Sequence, residues 1–108
     1  MEHRWNLRTP VEVNVTLNYS KLGLITAKTR DLSLGGAYVK ADSVNLGKHA
    51  MVEVLFPSKR NGADDLVNVS ATVVRSDSRG LALQFTDFEP QSIATLTGIM
   101  NKAGATQF

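Results

Sequence analysis

Apolar and polar residues alternate along much of this chain, most clearly after Pro10. In residues 11–19, one side is apolar (Val11, Val13, Val15, Leu17, Tyr19) and the other is polar, the period of two expected for a strand with one wet face. Similar segments recur down the chain, and the longest is expected to bend near Ala71. The six segments are 11–19 (VEVNVTLNY), 24–30 (LITAKTR), 37–41 (AYVKA), 51–56 (MVEVLF), 66–76 (LVNVSATVVRS) and 81–85 (LALQF).

The connections and the C-terminal region carry different signals. Pro57–Asp65 combines proline, Asn-Gly and charge, which indicates a loop, and Asp77–Gly80 fits a tight hairpin turn. Pro90, preceded by acidic residues, can start a helix, and Gly104 can end it. The apolar residues between them recur at helical spacing, which predicts one amphipathic helix. They are Ile93, Leu96, Ile99 and Met100.

These elements predict an all-β fold, a small six- to seven-stranded antiparallel β-barrel with one C-terminal α-helix. A β-sandwich would suit the same strand spacing. The barrel is favoured because closure removes exposed strand edges.

Composition fits a single domain: the chain has 108 residues, 43% of them hydrophobic and 20% charged. It has no cysteine, which excludes disulfides and thiolate metal sites. No apolar run approaches the roughly 18–20 residues needed to span a membrane, and the first ten residues lack the apolar core of a secretory signal. We therefore expect a cytoplasmic protein. The net charge of +2 is too small to indicate a general nucleic-acid binder.

Catalytic and metal-binding patterns are weak. His3 and His49 are far apart and fit solvated surface positions, and no nucleophile-elbow, zincin or phosphate-loop motif occurs. The acidic pairs Asp64–Asp65 and Asp87/Glu89 fit solvated or capping roles better than a cation site. The chain is therefore not expected to be an enzyme, and no metal site is predicted.

The segment DLSLGG interrupts the strand pattern. Asp31 and Ser33 would share a face in an extended chain, while Gly35 and Gly36 allow positive φ and close approach to the backbone. A carboxylate here could accept hydrogen bonds from a guanine edge or from an arginine. A turn stabilised by Asp and Ser, with a glycine bulge, explains the same residues equally well.

A second candidate lies near the N-terminus, in HRWNLR. Arg4 and Arg8 carry planar guanidinium groups that can bind phosphate through two hydrogen bonds and stack on a base. Trp5 could add stacking or pack on the barrel. Taken alone, this pair is better explained as a basic tail.

Together the two segments resemble the signature of the PilZ family, R-x-x-x-R followed by [D/N]-x-S-x-x-G. Here Arg4 and Arg8 are followed, after 22 residues, by Asp31, Ser33 and Gly36, and RGLALQFTDF resembles the closing strand of the family. The resemblance implies a small antiparallel barrel with a C-terminal helix that binds cyclic di-GMP, without a further cofactor. It also implies two regions, a flexible ligand-gripping segment at 1–9 and a single barrel domain at 10–108.

The resemblance also implies roles for individual residues. Arg4 and Arg8 would hold phosphates and stack on guanine, and Asp31 and Ser33 would contact guanine edges. Gly36, with Gly35 beside it, would keep the strand start open to the base. His3 stands where many members carry a further arginine, a position that influences whether one ligand or an intercalated pair binds. His3, Trp5 and Arg30 are therefore additional candidates outside the core site.

Three functions suit the sequence, in decreasing order. The first is a cyclic di-GMP receptor or adaptor, in which binding orders the N-terminal segment and alters a surface for a protein partner. The second is a PilZ-fold interaction module that works without nucleotide. The third is a small barrel that binds single-stranded nucleic acid, which seven aromatic residues and a weak net charge make the least favoured. No nucleic-acid partner is therefore expected.

Overall fold

The computed structural model describes residues 8–41, 44, 46–60 and 62–105. Seven strands precede a single helix in this part of the chain. They are β1 (Thr9–Pro10), β2 (Asn14–Tyr19), β3 (Gly23–Leu32), β4 (Gly36–Lys40), β5 (Met51–Arg60), β6 (Ala63–Ser76), β7 (Gly80–Phe85) and α1 (Pro90–Ala105).

Six of the strands close into an antiparallel barrel. The order is β3-β2-β5-β6-β7-β4, and β4 pairs back onto β3, while β1 adds two residues to the side of β3. The predicted barrel with one C-terminal helix is therefore confirmed, as six barrel strands and one extra strand. Closure gives each barrel strand a neighbour on both sides over at least part of its length.

The inward residues of the strands form one core. Residues 15 and 17 of β2 are buried while their neighbours 14, 16 and 18 are partly or fully exposed, as the alternation predicts. Phe56 and Phe85 meet edge to face at the centre, with ring centroids 6.1 Å apart and planes at 72°. Helix α1 adds Leu96, which is fully enclosed, while Ile99 and Met100 pack partly buried against the same core.

The loop predicted at Pro57–Asp65 is wrong. β5 and β6 stay paired as far as Arg60 and Ala63, and Gly62 takes a φ of +79°. Two-residue Asn-Gly turns match the natural twist of a hairpin, and this signal overrides the polar composition. Pro57 is tolerated within β5 because the pairing of β2 with β5 ends at Leu55, and proline is accepted at such an edge.

No helix in the described part of the chain is long and apolar enough to cross a bilayer.

Substitution of two glycines by alanine is predicted to have opposite effects on stability. A side chain at Gly80 would collide with the backbone carbonyl of Val39 across the β4–β7 pair, whereas nothing lies within 4 Å of a Cβ built at Gly98. We expect Gly80→Ala to lower the free energy of unfolding by about 1–3 kcal/mol or more. Gly98→Ala should raise it by about 0.5–1 kcal/mol, because alanine favours helix. Urea denaturation measures both, and equal effects of the two substitutions would contradict the tight β4–β7 contact.

Candidate functional site

Two strand irregularities define one patch on the outside of the barrel. In the β3–β4 pair the register shifts between Thr29 and Asp31, which makes Arg30 an extra residue. In the β6–β7 pair it shifts between Val73 and Arg75, which makes Val74 an extra residue. The bend expected near Ala71 therefore lies three residues further along. β-bulges commonly re-aim side chains beside functional sites.

Each bulge reverses the side of the sheet on which the following residue lies. Thr29 and Val73 are buried on the inner face, and strict alternation would place Asp31 and Arg75 there as well. After the bulges, Asp31 pairs with Tyr38 and Arg75 pairs with Ala82, while Tyr38 and Ala82 pair with each other. These four residues form the outer row, one residue on each of four adjacent strands in the order Asp31, Tyr38, Ala82, Arg75.

The strand β1 holds Arg8 next to this row. Thr9 and Pro10 pair with Leu32 and Asp31 of β3. The segment that follows is fixed by buried Thr29, whose hydroxyl donates to the Val11 carbonyl at 2.6 Å and accepts from the Val13 amide at 2.9 Å. The backbone at Arg8 is therefore tied to the bulged end of β3.

Asp31 is the carboxylate of the site and two arginines share it. Arg8 Nη1 donates to Asp31 Oδ1 at 2.7 Å, and Arg30 Nε donates to Oδ2 at 2.9 Å. The Asp31 side chain is 15% exposed, against 48% for Arg8 and 57% for Arg30. The carboxylate is thus recessed, and both guanidinium groups keep surface free for a ligand.

Tyr38 forms a platform beneath Arg30. The guanidinium carbon of Arg30 lies 4.0 Å from the centre of the Tyr38 ring, a cation–π contact. The Tyr38 hydroxyl donates to Asp77 Oδ1 at 2.8 Å, in the turn between β6 and β7. Burial, and then the bond to Asp77, raise the pKa of Tyr38 above its ordinary value. The bond from Tyr38, with the Arg79 amide next in effect, lowers the pKa of Asp77.

The turn between β3 and β4 uses Ser33 internally. The Ser33 hydroxyl is buried, accepts from the amides of Gly35 and Gly36 at 3.2 and 3.0 Å, and donates to the Gly36 carbonyl at 3.2 Å. Neither glycine uses the positive φ that glycine allows, since the described glycines with positive φ are Gly23 and Gly62. Gly36 instead meets a close backbone, because a Cβ there would collide with the Leu83 carbonyl.

An open cavity of about 900 Å³ lies over the outer row. It is within the range of volumes usual for small-molecule sites. Arg8, Arg30 and Arg75 line it against the single carboxylate Asp31, so its described charged lining carries an excess of two positive charges. Val74 and Phe88, 44% and 52% exposed, add apolar surface at its side.

The cavity gathers most of the residues predicted from the sequence. Arg8, Arg30, Asp31, Ser33, Gly35 and Gly36 all line it. Arg4, and the additional candidates His3 and Trp5, lie outside the described residues. Sequence reasoning missed Tyr38, Arg75, Gln84 and Phe88. Arg75 could not be found from alternation, because the bulge at Val74 reverses its side.

Three comparisons bear on this arrangement. The family model described as the PilZ domain matches residues 2–102. The PilZ domain of CeSA from a cellulose-synthesising bacterium is similar in structure, with a TM-score of 0.70 and 20% identity over 91% of this chain and 98% of that chain. The inhibitor of motility from Bacillus subtilis, MotI/DgrA, gives a TM-score of 0.72 and 13% identity over 99% of this chain and 52% of that chain. The comparison with curated proteins gives no match.

Because of the hydrogen bond between Tyr38 and Asp77, we expect the protein to lose stability at alkaline pH. The pKa of Tyr38 is raised in the folded protein, so the contribution of its hydroxyl to the free energy of unfolding is complete below about pH 10, the ordinary tyrosine value. That contribution falls as the pH rises toward the pKa of the folded state. The stability difference between wild type and Tyr38→Phe should therefore shrink above about pH 10. The lowered pKa of Asp77 has the opposite sign, so its contribution is lost as the pH falls through that pKa.

Denaturation in urea between pH 3 and pH 11 measures both limbs, with Tyr19→Phe as a control for the removal of one phenol. A wild-type advantage over Tyr38→Phe that stays constant up to pH 11 would contradict the role given to this bond.

Proposed function

Because the chain belongs to the PilZ domain family, whose members are regulatory or receptor domains rather than enzymes, we propose that it is a cyclic di-GMP receptor of the adaptor type. The ligand binds in the cytoplasm, and binding changes a surface that a protein partner recognises. The observation that carries the proposal is that Arg8, Arg30 and Arg75 line one open cavity together with the carboxylate of Asp31.

The charges of the cavity suit the ligand. Cyclic di-GMP carries two phosphate charges, and the described charged lining of the cavity has an excess of two positive charges. Arginine binds phosphate through two parallel hydrogen bonds and stacks on flat rings. Charge-assisted hydrogen bonds contribute about 1.5–3 kcal/mol each, so a few of them approach the roughly 8 kcal/mol of micromolar affinity after ordering costs.

Binding exchanges the partners of Asp31. In the structure its two oxygens accept from Arg8 and Arg30. A guanine presents adjacent N1–H and N2–H donors, which can replace an arginine at the recessed carboxylate. The arginine released in this way then binds a phosphate of the same ligand. Arg4 would add a further phosphate contact, and binding would order the arginine segment that precedes Thr9, which already pairs with β3.

The turn between β3 and β4 contributes to this exchange of partners, although its residues provide no charge. Ser33 holds the amides of Gly35 and Gly36 in place, so hydrogen bonds within the chain fix the turn at the base of the cavity. In this account Ser33 positions the backbone beside the guanine. A preformed turn lowers the ordering cost of binding.

Calorimetry with cyclic di-GMP tests the proposal. We expect wild type to bind with a dissociation constant of tens of micromolar or tighter. Arg8→Ala and Asp31→Ala should each weaken binding by about 10- to 100-fold, the equivalent of one charge-assisted hydrogen bond. Arg79→Ala is the matched control, because Arg79 is exposed and does not line the cavity.

The variants separate two ways of failing. Absence of wild-type binding would refute the receptor function and favour a PilZ-fold interaction module that works without nucleotide. Undiminished binding by both Arg8→Ala and Asp31→Ala would refute the site. Asp31→Ala is the sharper variant, because a carboxylate that served only to pair arginines would, on removal, leave the cavity more positive and binding no weaker.

A further inference from the structure

Arg75 stands at the far end of the outer row from the Asp31 cluster, and the sequence motif does not include it. The row crosses four adjacent strands, from Asp31 on β3 through Tyr38 and Ala82 to Arg75 on β6. Neighbouring strands lie about 4.8 Å apart, so the two ends are separated by about 14 Å. A ligand lying along the row would meet a cation at each end.

The bulge at Val74 gives Arg75 this position. Without the extra residue, Arg75 would follow Ala71 and Val73 onto the inner face, where an unpaired guanidinium is costly. The need to keep the Arg75 charge out of the core explains only part of the geometry around the bulge. The same bulge leaves Val74 44% exposed at the rim of the cavity. A cation beside an exposed apolar side chain suits a ligand with both phosphate and a flat ring.

The pairing of the arginines distinguishes Arg75 from the other two. Arg8 and Arg30 each contact Asp31 at 2.7–2.9 Å. Within the described residues, no carboxylate comes within salt-bridge distance of Arg75. Its charge helps to lower the pKa of the nearby Asp77 carboxylate, but without a salt bridge the guanidinium has no direct partner to exchange when it binds an anion.

Between Asp31 and Arg75, the side chains of the outer row project little from the surface. Ala82 carries a single methyl group, and the Tyr38 ring lies largely covered beneath Arg30. A ligand can therefore lie across β4 and β7 and reach both ends of the row. A single nucleotide with one phosphate group can satisfy only one of the two ends at a time.

We infer that Arg75 binds the second phosphate of the ligand, opposite the phosphate held from the Asp31 end. This rests on the proposed function, whose ligand already carries two phosphate groups, and adds a contact residue that lies outside the sequence motif. Arg75 contacts the ligand directly as a second anchor, so it strengthens the binding of a cyclic dinucleotide more than the binding of a guanosine monophosphate.

Calorimetric titration of the whole chain tests the inference with two probes, cyclic di-GMP and 5′-GMP. We expect Arg75→Gln to weaken cyclic di-GMP binding by about 10- to 100-fold. Arg75→Lys, which keeps the charge but loses the planar fork, should fall between wild type and Arg75→Gln. The matched control Arg79→Gln, four residues away in the same hairpin, should bind as wild type does.

The preference for the dinucleotide provides a second readout. The ratio of affinities for cyclic di-GMP and 5′-GMP should shrink in Arg75→Gln, which a merely structural role would not produce. Urea denaturation should give the same midpoint for Arg75→Gln and Arg79→Gln, since both side chains are exposed. Equal binding of cyclic di-GMP by these two variants would overturn the assignment of Arg75 and leave the receptor proposal standing. Failure of wild type to bind would overturn both.

Discussion

Alternation between inner and outer faces is the constraint on which this structure depends. A closed barrel of six strands buries every second residue of each strand, so a charged residue at an inward position would enter the core. Two bulges relieve that constraint, at Arg30 and at Val74. Because they lie on β3 and β6, at the two ends of one row across four strands, they place Asp31 and Arg75 on the same outer surface. The cavity lies where these two bulges interrupt the alternation of inner and outer residues.

Electrostatic pairing within the site sets what a ligand must do. Asp31 is recessed and satisfied by two arginines, and one of these, Arg30, is held over the Tyr38 ring. The carboxylate and both guanidinium groups of this cluster have partners within the protein. The cluster is exchangeable, because exposed ion pairs contribute little to stability and are readily replaced by stronger bonds. A phosphate and a guanine edge together can replace the partners on both sides.

The sequence predicts the strands well where local pattern and tertiary packing agree. Residues 14–19 of the segment predicted at 11–19 lie in β2, while 11–13 precede the strand, and the helical apolar positions 93, 96, 99 and 100 lie in α1. Pro57–Asp65 was predicted wrongly because polar composition indicates solvent exposure, which a projecting hairpin also provides. Its Asn-Gly pair carried the correct signal, a two-residue turn.

The site divides in the same way. Asp31 and Arg8 could be predicted because they belong to a spaced motif. Arg75 could not, since a bulge adds one residue without a sequence mark and reverses every position after it. Ser33 shows a third case, in which a residue was predicted at the site while its hydroxyl bonds to the turn itself.

The most direct test of this assignment is a two-dimensional amide NMR titration of the whole chain with cyclic di-GMP. We predict that the largest shifts fall in residues 30–38, 74–76 and 82–85, the three segments that carry the outer row and its two bulges. Shifts at both ends of the row in one saturable transition would support a ligand that spans it. A second cavity lies between α1 and the β5–β6 hairpin and is lined by residues that include Pro57, Val67 and Ile99. Shifts confined to that cavity, or no shifts at millimolar ligand, would contradict the account.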